Sequence, residues 1–215
     1  MSDIFNTEEQ DISQEIINYG LSKAADSMAF FTKEKVFVKS IDLQVKTVDS
    51  IRNLSQKYGD EEVYVLITEL KGELEGVCYL VLSEKEVGEI LKTSLPASIL
   101  NDLSKLEEMS EAILLEMDNI VVAAVVTQFS NLFNYKIYGG VPTLSKIKPD
   151  GLAGLVETAS KTAKSALYFN SEFLTTEMQI NPEFICLLND KYIDGVKLIA
   201  QNQDLFLKMR STICY

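Results

Sequence analysis

The sequence predicts an α/β fold of the α+β sandwich type: a six-stranded, largely antiparallel sheet with two long helices packed on it. Three observations lead to this fold class. A succession of helix, turn and strand occurs twice, 101 residues apart; each long helix carries an apolar stripe; and short apolar runs alternate with turn residues. Three strands have little core of their own. We therefore expect residues 1–215 to form one domain of two pseudo-twofold repeats, approximately 7–95 and 104–207.

Each repeat opens with a long helix that leads into a strand, over residues 11–42 and 112–143. Thr7-x-x-Gln10 and Ser104-x-x-Glu107 fit the capping box that starts a helix. Apolar residues then recur at steps of three and four, at Ile17, Leu21, Ala24, Met28 and Phe31 in the first helix and at Val122, Val125, Phe129 and Leu132 in the second. Such a stripe must face a core.

The remainder of each repeat is predicted to contain two more strands and shorter helices. The strands are expected at residues 63–70, 77–82, 166–170 and 183–188, and the helices at residues 48–56, 84–92, 152–164 and 191–205. Pro96 and Asn101 mark the join between the repeats.

Composition excludes several classes of function. The 215 residues contain no histidine, which excludes His-based catalysis and most zinc sites, and the net charge of −12 argues against nucleic acid or an anionic membrane as a partner. The longest apolar run, residues 120–126, is short for a membrane span. Residues 1–10 lack the basic charge of a secretory signal, so we expect a cytoplasmic protein.

The three cysteines are predicted to be structural. Cys78, Cys186 and Cys214 form no CxxC pair, and the first two lie in apolar strand-like runs. A reduced, buried thiol is the ordinary state of such residues in the cytoplasm.

A Glu-x-x-Asn pair occurs once on each long helix, at Glu15 and Asn18 and again at Glu116 and Asn119. Residues three apart on a helix are neighbours, and both pairs lie roughly 100–160° from the centre of the apolar stripe. Asp11 and Ser22 share the outer face of the first helix, and Ala112 and Ala123 that of the second.

One such pair would ordinarily be a solvated helix surface. However, of the twenty glutamates only Glu15 and Glu116 have Asn three residues further on, and both occupy the same place in the repeat. Asn is also a poor residue for a helix interior. The coincidence indicates a functional site on each helix.

These residues resemble the signature of the CheC/CheX/FliY phosphatases: Asp or Ser, three residues, Glu, two residues, Asn, and Pro after twenty-two more. Asn119 is followed by Pro142 at that spacing, but the leading position is Ala112. In the first copy Asp11 fills the leading position, but Ile41 stands where Pro is expected. A stretch with Gly72 and Gly76 before an apolar strand also resembles the central hairpin of the family.

The resemblance implies a CheC-like fold and a phosphorylated CheY-like receiver domain as the partner. Asn18 and Asn119 would position the attacking water, and Glu15 and Glu116 would pair with a lysine of the partner. The remaining signature and outer-face residues would assist docking: Asp11, Ser22, Ala112 and Pro142, the last mainly by shaping a turn. The chain itself would bind no cofactor, because the partner supplies Mg²⁺.

Two other functions stay open. The chain could be a non-catalytic adaptor of the same fold, such as a flagellar-switch component or a regulator that binds a CheD-like protein. An unrelated small-molecule enzyme is disfavoured, because the sequence has no GxSxG motif and no phosphate-binding glycine loop.

Overall fold

The computed structural model describes residues 4–46, 58–159, 163 and 165–213. Its helices are α1 Thr7–Thr32, α2 Glu84–Ser94, α3 Ala97–Leu100, α4 Leu103–Phe133, α5 Pro149–Ala159, α6 Lys191–Gln201 and α7 Gln203–Ile213. Its strands are β1 Phe37–Lys46, β2 Val63–Gly72, β3 Gly76–Ser83, β4 Ile137–Gly139, β5 Thr143–Ile147, β6 Ser165–Leu174, β7 Gln179–Ile180 and β8 Glu183–Leu188.

The described strands form one antiparallel sheet in the order β1-β6-β8-β3-β2-β4, with β5 also paired to β2 and β7 to β6. This order is symmetric between the two halves of the chain. From one end it runs through the first strand of the first half and then the second and third strands of the second half; from the other end it runs through the corresponding strands with the halves exchanged. The first strand of each half pairs with the second strand of the other half: Leu43 of β1 lies opposite Phe169, and Leu144 of β5 lies opposite Leu66. Neither half therefore completes its own sheet, which supports the proposal of one domain made of two repeats.

The two long helices pack side by side with their apolar stripes in the core. The stripe residues whose side chains are described are all buried: Ile17, Leu21, Ala24, Met28, Val122, Val125, Phe129 and Leu132. The side chain of Phe31 lies outside the described part. Gly20 allows the close approach of the helices, since a Cβ there would lie 3.0 Å from the Cα of Val125.

Both predicted capping boxes are wrong by one or two residues. The Asn6 side chain accepts from the Glu9 amide at 3.0 Å, and Glu9 accepts in return from the Asn6 amide at 2.9 Å. α4 starts after Asp102, whose carboxylate accepts from the Lys105 amide at 3.3 Å. In each case the N-cap is an Asn or Asp that lies upstream of the predicted Thr or Ser. The side-chain oxygens of Asn and Asp accept hydrogen bonds from the free amides of the first helical turn as well as those of Ser and Thr do.

Several element boundaries also differ from the prediction. The strand expected at the end of residues 112–143 is divided into β4 and β5 around Pro142, and the short strand β7 was not predicted, so the described sheet has eight strands instead of six. The helix expected over residues 191–205 breaks at Asn202, whose side chain accepts from the amides of Asp204 and Leu205 and starts α7. α5 begins at Pro149, before the predicted residue 152, and is described as far as Ala159; residues 160–162 and 164 of the predicted helix lie outside the described residues. The helix predicted at residues 48–56 lies outside the described residues.

Helix α4 is more membrane-like than the run at residues 120–126 suggested. Among the described residues it is the one helix long and apolar enough to cross a membrane by length and composition. More than half of its most apolar window is buried inside the structure. Its apolar residues thus pack in the core, against α1 and the sheet, as those of a buried core helix do.

Cys78 and Cys186 confirm the prediction of buried, reduced thiols. They lie directly opposite each other on the central strands β3 and β8, with 3.0 Å between their Sγ atoms and no disulfide. The contact with Cys186 and burial raise the pKa of Cys78 well above its usual value. Cys214 lies outside the described residues.

Candidate functional site

The first Glu–Asn pair lies on the outer face of α1. Asn18 is exposed and Glu15 half-buried, and Asp11 and Ser22 are exposed on the same face. Asn18 and Ser22 border a hollow of about 530 Å³ whose other wall is residues 35–38, where β1 begins. The pair therefore stands on a helix surface that a partner can reach.

A second hollow, of about 330 Å³, lies on the other side of the first pair. Asp11 and Glu15 line it together with Phe206 and Arg210 of α7. Since α1, β1 and α7 enclose the two hollows and α4 lines neither, the first pair forms a site separate from the second.

The side chain of Asn18 is tied to the sheet through Gln14. The backbone N–H of Leu43 in β1 donates to Gln14 Oε1 at 3.3 Å, and Gln14 Nε2 donates to Asn18 Oδ1 at 3.1 Å. Gln10 Nε2 donates to the Leu43 carbonyl at 3.0 Å. The amide oxygen of Asn18 has two lone pairs, so the bond from Gln14 fixes its orientation and leaves one lone pair for a further donor.

The second pair lies on the outer face of α4, where Glu116 and Asn119 are both exposed. Ala112, at the position that departs from the signature, is exposed one turn before Glu116. Pro142 is half-buried in the irregular segment between β4 and β5. The two strands pair one after the other along β2, so the chain runs on past Pro142, and the turn-shaping role of Pro142 stays a prediction.

The two pairs occupy the same place in their helices. α1 and α4 are each followed by a residue in the left-handed conformation, Lys33 with φ 58° and Asn134 with φ 56°. Asn18 and Asn119 each lie fifteen residues before that cap. The structure thus keeps the register that the sequence comparison of the two halves predicted.

A buried carboxyl group beneath the second pair was missed from the sequence. Asp118 is fully buried on α4, and Thr68 Oγ1 of β2 donates to its Oδ2 at 2.6 Å. Its Oδ1 has no hydrogen-bond partner among the described residues. Burial raises the pKa of Asp118 to about 6, against the opposing effect of the Thr68 hydrogen bond. The available signal was a break in the apolar stripe, because Asp118 takes the place that Ile17 holds on α1.

Among the described residues, metal-ligating side chains do not cluster at either pair. Within the described ranges, no three Cys, Asp or Glu side chains come together in a way that could hold a metal ion. The supply of Mg²⁺ by a partner remains a prediction.

No family model matches the chain. Among solved structures it is similar to FliY of Thermotoga maritima, with 18% identity and a TM-score of 0.71 over 95% of this chain and 98% of that one. It is also similar to CheX in the CheX–CheY–BeF₃–Mg²⁺ complex of Borrelia burgdorferi, with 16% identity and a TM-score of 0.51 over 80% and 97% of the two chains. A third similar structure is the FliM middle domain of H. pylori, with 10% identity and a TM-score of 0.54 over 89% and 98%.

These comparisons confirm the predicted fold class. The chain has the mixed α/β fold of the CheC/CheX/FliY proteins, which the FliM middle domain shares. The similarity to FliY of Thermotoga maritima extends over 95% of this chain. At these identities the likeness concerns the fold, and the function depends on the residues of the two pairs.

Proposed function

We propose that this chain is a phosphatase that dephosphorylates the phospho-aspartate of a CheY-like response regulator. One observation carries the proposal: a Glu and an Asn lie one turn apart on the accessible outer faces of two neighbouring helices, in the same register. A protein of the same fold, CheX, forms a complex with CheY, BeF₃ and Mg²⁺. Beryllofluoride resembles a phosphoryl group. In that complex, a protein of this fold therefore binds a receiver in a form that resembles the phosphorylated one.

The chemistry needs little from the phosphatase beyond positioning. Hydrolysis of an acyl phosphate requires a water in line with the phosphorus, and the receiver holds the phosphoryl group with its own Mg²⁺. The carboxamide of Asn18 or Asn119 accepts a hydrogen bond from this water and donates one to a phosphoryl oxygen. Glu15 or Glu116 pairs with a lysine of the receiver and fixes the helix in register.

Four further residues act in docking under this proposal. Asp11 and Ser22 flank the first pair with short side chains, which leaves the helix surface open to close approach. Ala112 does the same at the second pair, without a polar contact of its own. Pro142 keeps β4 and β5 in place beside α4.

A non-catalytic adaptor is the second candidate, in the cytoplasm like the first. The likeness to the FliM middle domain favours it. The same fold occurs in a protein other than CheX and FliY, so the fold alone does not indicate a phosphatase. An adaptor could bind a receiver or a CheD-like protein without releasing phosphate. The occurrence of both Glu–Asn pairs on exposed faces favours the phosphatase.

The decay of a phosphorylated receiver separates the two candidates. A Mg²⁺-loaded, acyl-phosphorylated CheY-like domain is mixed with a substoichiometric amount of the chain, and phosphate release is followed in time. We expect release above the receiver's own rate, with more than one turnover per chain. Tight binding to several such receivers without faster release would identify an adaptor.

Gln14 provides a finer test of the first site. In protein carrying Asn119→Ala, the further change Gln14→Glu keeps an acceptor for the Leu43 N–H but removes the donor to Asn18 Oδ1. Losing this hydrogen bond, worth about 1 kcal/mol, should slow phosphate release at saturating receiver by about 3–10-fold. Ser27→Glu is the control, because it adds the same charge at an exposed position of α1 without touching Asn18 or Leu43. An equal loss in both variants would contradict a role for Gln14.

A further inference from the structure

The residues around the two Glu–Asn pairs differ in one consistent way. Four positions on the pair-bearing faces are polar or acidic on α1 and apolar on α4: Glu8, Asp11, Gln14 and Ser22 correspond to Met109, Ala112, Leu115 and Ala123. The correspondence follows from the shared left-handed caps at Lys33 and Asn134. We call the first set with its pair the acidic face and the second set with its pair the apolar face.

The side chains of the apolar face reach solvent and are not simply part of the core. Met109 is 38% exposed, Ala112 and Ala123 are exposed, and Leu115 is half-buried. The adjacent residues Ile113, Leu114 and Met117 are the ones that fill the core. Spacings of three and four residues place the exposed set in one ridge along α4, with Glu116 and Asn119 in its middle.

Charges lie at the N-terminal end of this ridge. They are Lys105, which is ion-paired to Asp102 at 2.8 Å, and Glu108. Among the ridge residues within one turn of Asn119, Glu116 is the charged one.

The acidic face has the opposite character. Asp11 and Glu8 are exposed about two and about three turns before Asn18, and with Glu15 they line the hollow beside α7. Arg210 is the cation of α7 in that hollow. A partner that meets this face meets three carboxylates within three helical turns.

We propose that the two pairs dock receiver domains through different chemistry. The acidic face fits a receiver with lysine or arginine side chains around its phosphorylated aspartate. The apolar face fits a receiver with apolar side chains there, because exposed apolar area contributes affinity only against apolar area. The inference rests on the proposed function and adds to it the kind of partner surface that each site selects.

The salt dependence of binding tests this inference. Glu15→Ala with Asn18→Ala leaves only the second pair, and Glu116→Ala with Asn119→Ala leaves only the first. Each protein is titrated with the Mg²⁺- and beryllofluoride-loaded CheY-like receiver that it binds most tightly, at about 50 mM and 500 mM NaCl, where screening lengths differ about threefold. We expect the protein with only the first pair to lose at least about fivefold more affinity at high salt than the other.

Exchange of face residues then locates the effect. In the protein with only the second pair, Met109→Glu with Ala112→Asp should weaken binding at least about tenfold and make the remainder salt-dependent. In the protein with only the first pair, Glu8→Met with Asp11→Ala should remove most of the salt dependence. All four positions are exposed on helices, so folding is preserved. Glu107→Ala is the control, because Glu107 is exposed on α4 and, two residues from Met109, faces the other side of the helix.

The outcomes distinguish this inference from the proposed function. Equal salt dependence of the two single-pair proteins, or no effect of the exchanges, would overturn the docking inference while phosphate release still stood. If the unmodified chain binds receivers but releases no phosphate, the proposed phosphatase function is wrong. The salt dependence of binding at the two faces can still be compared in that case.

Discussion

Replacing both Asn18 and Asn119 by alanine is expected to reduce phosphate release to the receiver's own rate. Each replacement removes the group that positions water at its site, and the loss of one preorganised polar group costs on the order of 10²-fold in rate. Both side chains are exposed, so the folded state should be unaffected. Release is measured with an excess of phosphorylated receiver, and binding is measured separately with the beryllofluoride-loaded form.

The single replacements divide the activity between the sites. Two independent sites add their rates, so Asn18→Ala retains the rate of the second pair and Asn119→Ala that of the first. Asn131→Ala, an exposed asparagine elsewhere on α4, is the matched control and should change nothing. Stimulated release by a folded double variant would contradict the assignment of either asparagine.

The second large effect concerns Asp118 and the pH dependence of stability. The folded protein holds this carboxyl group with a pKa of about 6, against an ordinary value of 3.8. Between these values the folded state keeps a proton that the unfolded state has lost, so the free energy of unfolding falls as pH rises from about 4 to 6 and stays low above. The difference amounts to about 3 kcal/mol.

Asp118→Asn removes this titration and keeps an acceptor for Thr68. The free energy of unfolding of the variant relative to the unmodified protein should rise by about 2.4 kcal/mol between pH 4 and pH 7, whatever the fixed cost of the buried amide. Urea denaturation at four pH values in this range measures the difference. Asp60→Asn, in an exposed turn, is the control. A constant difference across the range for Asp118→Asn would contradict the raised pKa.

The features that sequence could predict are local ones. The stripe from Ile17 to Met28 and the Glu15–Asn18 spacing follow from helix periodicity alone, because neighbours three and four residues apart are fixed by the helix. The fold class followed from the order of such elements. The duplicated pairs were found because the same local pattern recurs at Glu116 and Asn119.

The features that sequence missed depend on residues far apart in the chain. Pairing of β1 with β6 joins Leu43 to Phe169, and no local pattern specifies that register. Asp118 is acceptable in the core because Thr68, fifty residues away, donates to it. The link from Leu43 through Gln14 to Asn18 likewise needs the strand to return beside the helix.

The most direct test of the central claim is a structure of the chain bound to a receiver domain loaded with Mg²⁺ and beryllofluoride. We expect the carboxamide of Asn18 or Asn119 within about 3 Å of a fluoride, with Glu15 or Glu116 beside a receiver lysine. A complex in which the receiver binds another surface, with its beryllofluoride out of reach of both carboxamides, would contradict the phosphatase sites and favour the adaptor.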